Sequence, residues 1–191
     1  MKELRNLKLV LLISILCTLS INAFSQFEAK MQFTLSGVKK DFKVFSDKNR
    51  YRNEFNEDGQ EGIIIVLNQP KKVFVIIPQQ KMAIKTNPYS PMSMGNDPLK
   101  LYEYQLDLGG TEKIIGNETV NGYDCVKKEL YGESKQLLYT MWYSNKYSFP
   151  IKIVSHIDVA GDTNMELKDI KSWTADEAGF KIPEGFTIME Q

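Results

Sequence analysis

Cysteine and histidine are nearly missing from this chain of 191 residues, which holds two cysteines, Cys17 and Cys125, and one histidine, His156. A single histidine excludes any zinc site with two or more histidine ligands and any mechanism that needs two imidazoles. Ser155 and His156 are neighbours on an expected strand and point to opposite faces, so they cannot form a nucleophile-base pair with each other. A Cys125-His156 pair brought together across a sheet is the one nucleophilic arrangement left open, and nothing in the sequence around Cys125 would lower its pKa. Net charge is missing too, with 24 basic residues against 24 acidic ones, which argues against nucleic acid as a partner. No glycine-rich loop has phosphate-binding spacing. Paired carboxylates, Glu57 with Asp58 and Asp176 with Glu177, fall in turn-like stretches where solvated charge is the default. The chain reads as non-enzymatic and free of cofactors.

What is present begins with a leader. In MKELRNLKLVLLISILCTLSINAFSQ, Lys2, Arg5 and Lys8 precede an apolar run from Leu9 to Cys17 that weakens through Thr18, Ser20 and Asn22. This is the pattern of a signal peptide, too short to span a membrane. Ala23 and Ser25 supply small residues at the third and first positions before a cut, so cleavage is expected after about Ser25. Residues 1–25 are then signal peptide and 26–191 a single exported domain, periplasmic in location. Without Lys2, Glu3, Arg5 and Lys8 the 24 and 24 become 21 basic and 23 acidic residues. One mature cysteine allows no internal disulfide despite an oxidising compartment, so apolar burial has to hold the domain, and a chain of this size buries roughly 70% of its unfolded surface.

From Phe27 the apolar residues alternate: Phe27, Ala29, Met31, Phe33 and Leu35 against Glu28, Lys30, Gln32 and Thr34. That is a half-buried strand. Turn clusters SGVKK, SDKN, NEDGQEG, NQPKK and PQQK then separate expected strands at 41–45, 51–55, 62–67, 73–77 and 82–85. The runs Ile63 to Leu67 and Val73 to Ile77 have no polar face, so both sides should be covered. A cover follows in Pro98 to Leu108, where Asp97 can cap, Pro98 fits the first position, and Leu99, Tyr102 and Leu106 recur at helical spacing until Gly109-Gly110. The Pro/Met-rich stretch NPYSPMSMGND before it shows neither strand nor helix period. Further strands are expected at 112–116, 123–130, 136–144, 151–158 and 164–171. A capping box of Thr174 and Glu177 suggests a short turn in TADEAG. The fold class expected is mainly β (α+β): one curved antiparallel sheet or unclosed barrel wrapped around one or two helices.

The stretch RYRNEFNEDGQEGIIIVLNQPKKVFVIIPQQK resembles the early strands of the LolA-like periplasmic lipoprotein carriers, and FKIPEGFTIM is similar to their terminal Phe-x-x-Pro-x-Gly strand. GNETVNGYDCVKKEL, MWYSNKYSFPIKI and MELKDIK, in that order, are similar to a group of uncharacterised exported bacterial proteins in the same superfamily. The resemblance implies a half-barrel whose concave face holds acyl chains or other apolar ligands. Lipid or a lipidated protein is the partner expected, with membrane contact transient at most; the sequence leaves the oligomeric state open and favours a monomer. By motif position the resemblance implies that Arg52 holds the lid helices closed. The chain departs from the carriers in starting directly on a strand rather than on an amphipathic helix.

Cavity-lining residues expected on these grounds are Ile64, Val66, Phe74, Ile76, Met82, Leu99, Tyr102, Met141 and Tyr143, with Arg52 beside them. Trp142 and Trp173 are better placed in the core, and Cys125 in the sheet as a small hydrophobe. Two other functions stay open: an envelope interaction protein whose cavity its own helix fills, and copper handling through the thioethers of Met92 and Met94, near Met82.

Overall fold

The computed structural model describes residues 26–157 and 163–191, so the leader and the last residue expected of the 151–158 strand lie outside the described residues. Twelve strands form one sheet: β1 (Phe27–Leu35), β2 (Val38–Ser46), β3 (Arg50–Glu57), β4 (Gln60–Asn68), β5 (Lys71–Ile77), β6 (Met82–Thr86), β7 (Thr111–Val120), β8 (Tyr123–Tyr131), β9 (Leu137–Ser144), β10 (Phe149–Ser155), β11 (Asn164–Ser172) and β12 (Thr187–Glu190). Their order across the sheet is β12-β6-β5-β4-β3-β2-β1-β11-β10-β9-β8-β7. Each half is a meander of neighbours in sequence, as the closely spaced turn clusters dictate. The two meanders meet at the antiparallel β1–β11 ladder. β12 and β7 stand at opposite edges and the sheet stays open. The antiparallel expectation fails at one place: β12 runs parallel to β6, Thr187 opposite Met82 and Glu190 opposite Lys85.

Helix α2 (Pro98–Asp107) lies on the inner face, its N-cap Asp97 accepting from the Leu99 amide. A short helix that periodicity does not reveal, α1 (Pro91–Met94), precedes it within the Pro/Met-rich stretch. Ser90 caps it and Pro91 opens it, the pairing of cap and preset φ that starts a helix without an apolar period. In TADEAG the turn is a 3-10 turn at Glu177–Phe180 capped by Asp176, whose carboxylate accepts from the Ala178 amide. Thr174 is not the cap, because Asp176 lies nearer and is the stronger acceptor.

Two cores result from the alternation along the strands. The inner one gathers Phe27, Met31, Phe33, Val44, Ile64, Val66, Ile151 and Leu167 beneath Tyr102 of α2. On the outer face, Ile65, Ile76 and Ala83 are sealed by Trp173, Phe180, Ile182 and Phe186 of the segment between β11 and β12. The bare runs in β4 and β5 are thus covered on both sides, by α2 within and by this outer strap without. Among the described residues no helix is long and apolar enough to cross a membrane.

Candidate ligand cavity beside the helix

Where α2 crosses the ends of β3, β4 and β5, the inner core stops short of filling the space. A cavity of about 340 Å³ remains, walled by Val66, Val73, Leu99, Leu106, Tyr143 and Phe149, with Lys100, Glu103, Asp107, Asp47 and Lys71 among its polar lining. That lies at the small end of the range for small-molecule sites. Apolar walls with a few convergent charges suit an amphiphile, whose chain meets the former and whose head meets the latter.

Three tyrosine-carboxylate hydrogen bonds fix α2 over this space. Tyr51 of β3 donates to Asp97 Oδ2 at 2.5 Å, Tyr102 donates to Glu112 Oε2 of β7 at 2.8 Å, and Tyr89 donates to Asp107 Oδ2 at 2.6 Å. Beginning, middle and end of the helix are each tied to a different part of the chain. Lys128 shares Glu112 through its other oxygen at 2.9 Å. Lys100, almost wholly buried, pairs with Glu103 at 2.6 Å and lies over the Tyr51 ring.

Burial dominates the electrostatics. It pushes Asp97 from 3.8 up to about 6, with Lys100 and the Tyr51 hydroxyl pulling part of the way back and Glu103 adding to the rise. Burial first, and then the adjoining carboxylates, raise Tyr51, Tyr89 and Tyr102 well above the ordinary phenol range, so all three stay protonated donors.

The residues expected to line a cavity divide among three places. Val66, Leu99 and Tyr143 line it. Ile64, Tyr102 and Met141 are packed in the inner core beside it. Phe74 and Ile76 project from the outer face into the strap core, because β5 alternates and its inner positions are Val73 and Val75. Met82 is half-buried where β6 pairs with β5 and β12.

Arg52 is also outside. Its guanidinium donates to the Gly179 carbonyl at 2.8 Å, pairs with Glu54 at 2.9 Å and stacks on Phe45. The role at the helices that the resemblance implies for Arg52 has no counterpart in this geometry. Its neighbour Tyr51, one residue earlier and hence on the opposite face, ties the helix instead. The register decides this: β3 pairs Tyr51 with the inward Val66, and residues directly opposite in a ladder share a face.

Trp173 sits in the strap core against Phe45 and Phe180. Trp142 donates to Glu118 at 2.6 Å between Lys127 and Lys152. Cys125 is buried, and its thiol, raised by that burial, donates to the Tyr123 carbonyl at 3.4 Å. His156 meets Thr140 Oγ1 through Nε2 at 2.9 Å. Met92 packs against the inner core, while Met94 is two positions on in α1, and residues two apart on a helix do not face each other.

No protein-family model and no curated protein matches the chain. Solved structures do. An uncharacterized conserved protein from Thermus thermophilus aligns at 11% identity over 93% of this chain and 98% of its own, with a TM-score of 0.58. The MucA/MucB complex of Pseudomonas aeruginosa aligns at 11% identity over 88% of this chain and 59% of the matched one, with a TM-score of 0.52. The present chain thus spans about three fifths of that protein's length. A LolA superfamily protein from Nitrosomonas europaea is similar at 12% identity over 83% and 90%, with a TM-score of 0.48. The Thermus and Pseudomonas likenesses establish that this chain shares their fold.

Proposed function

We propose that this chain is exported, processed after Ser25, and acts in the periplasm as a non-enzymatic binding or carrier protein for a lipid-like amphiphile held in the cavity beside α2. The observation that supports it is the pairing of an unfilled, apolar-walled space with a helix fastened over it by polar bonds at three points. Of the three ties, the Tyr89–Asp107 bond is exposed and can be exchanged for water, while the Tyr51–Asp97 bond is buried and anchors the start of the helix. Each buried methylene contributes about 0.8 kcal/mol, so a segment of roughly eight offers about 6 kcal/mol, comparable to the cost of association. A longer chain needs α2 to shift. Lipoprotein acyl chains and free lipids both fit this chemistry.

A second reading has its own support. Tyr102, Phe27 and Phe33 leave the inner face largely self-filled, as an envelope interaction protein would have it, and the fold is one that MucB uses in a complex with MucA.

Titration of delipidated protein with a fluorescent fatty-acid analogue separates the two. One-site saturation is expected, weakened about tenfold (~1.4 kcal/mol) by Leu99→Trp, which fills the cavity from the helix side, with little change in melting temperature. Absence of saturable binding removes the carrier and leaves the interaction protein.

A further inference from the structure

Gln26 directly precedes β1, and its position is built into the fold. Its backbone carbonyl accepts from the Trp173 amide at 3.2 Å, and its side-chain Oε1 accepts from the Ala175 amide at 2.8 Å. The residue therefore fastens the start of the first strand to the start of the outer strap. The other end of the same side-chain amide, Nε2, has no partner among the described residues. Oxygen is used and nitrogen is not.

That asymmetry matters if processing makes Gln26 the first residue, and the inference rests on that part of the reading above. A new α-amine is then one five-membered ring away from Cδ. We propose that Gln26 is a modification site, closing to pyroglutamate once the leader is removed. The α-amine nitrogen attacks Cδ, the N–Cδ bond forms, the Cδ–Nε2 bond breaks, and ammonia leaves with the proton that the amine gives up. No oxidant or co-reactant enters. Only Nε2 leaves, which bonds no described residue, and Oε1, which accepts from the Ala175 amide, is kept as the lactam oxygen.

The ring also removes a charge. Gln26 is half-buried next to Phe27, which is fully buried, and a charge close to apolar surroundings is costly unless paired. The neutral lactam has no such cost. A blocked terminus held by Trp173 and Ala175 also denies aminopeptidases a starting point.

Intact-mass measurement of the mature protein from the envelope fraction tests this directly. The expected product is the chain 26–191 lighter by one ammonia, refractory to N-terminal sequencing until treated with a pyroglutamyl aminopeptidase, with the Ala175 amide slow to exchange. Gln26→Asn, whose shorter side chain cannot close the five-membered ring, should give the full mass and a free amine. A chain that begins at Gln26 with its amine free overturns the proposal and leaves the export reading intact. So does a terminus that cyclises only after unfolding, because the fold then shields it. A chain that begins elsewhere fails the processing reading and takes the proposal with it.

Discussion

At the scale of single residues, Asp97 carries the most informative conflict. It caps α2, accepts from Tyr51, and is wholly buried, so its ionised form is both useful and expensive. The folded pKa of about 6 exceeds the ordinary 3.8, so the folded state binds the proton more tightly than the unfolded chain does. Stability contributed by this group is therefore full below 3.8 and falls as pH rises through about 6, by on the order of 3 kcal/mol. Asp97→Asn keeps one oxygen to accept from the Leu99 amide and replaces the oxygen that faces Tyr51 with an amide NH2, so it exchanges one hydrogen bond for removal of the buried charge. The variant should melt higher than the parent at neutral pH and lose the slope between pH 4 and 6 that the parent shows in thermal melts across that range. If both proteins have the same slope, the burial argument fails. Arg52 makes a different demand. Arg52→Leu deletes a charged donor to Gly179 and a stack on Phe45, so it should cost about 1.5 to 3 kcal/mol and speed hydrogen exchange in residues 173–182, while uptake of a fatty-acid probe stays near the parent's. Faster probe release with an unchanged strap would restore Arg52 to the lid. Tyr51 and Arg52 together show what sequence could carry at the site: the strand and its motif are legible, but which neighbour faces inward depends on register with β4.

Elements with a strong period were readable, and those without one were not. Alternation placed β1 and the short strands after it, and Asp97-Pro98 with its apolar spacing placed α2 to within a residue of its end. α1 has four residues, too few for any periodicity, and only its Ser90-Pro91 start betrays it. The outer strap escaped notice for a related reason: Trp173, Phe180, Ile182 and Phe186 are spaced irregularly because they follow a 3-10 turn and loops, yet they seal half of the bare faces of β4 and β5. β12 was legible as a terminal strand only through the resemblance of FKIPEGFTIM, and not as a parallel one, since pairing with β6 is a long-range choice. That pairing covers the open edge of β6, supplemented by the Lys85-Glu190 ion pair at 2.7 Å. Truncation of residues 187–191 would bare a short apolar edge, MAIKT, of the kind that templates association. Size-exclusion profiles of the truncated protein should shift to larger species as concentration rises, whereas the full chain's should not; identical profiles would mean that β12 protects nothing.

For the molecule as a whole, the proposed ligand site depends on α2 being movable while the sheet is not. The helix touches solvent along one side and is held by three tyrosine bonds, whereas the strands inside the sheet are held by ladders on both edges and packed by the inner core, with the outer strap added over β4 and β5. Tyr102→Phe removes the middle tie to Glu112 without emptying the core and should accelerate both uptake and release of a fluorescent fatty-acid analogue in stopped flow by a similar factor, leaving its affinity little changed. Unchanged rates would argue that the helix stays closed and that ligands enter elsewhere. The order of strands has a further consequence, for time rather than for space. β1 is the first strand to be made and yet it belongs at the middle of the sheet, next to β11, one of the last. The first meander can assemble from contacts near in sequence, which form quickly, but β1 then has to wait with one edge bare while about 130 residues emerge. The second meander has to zip onto it along that seam. While the chain is being completed the protein therefore passes through a half-sheet whose leading strand is unguarded along one side, and that edge of β1 needs shielding until β11 arrives.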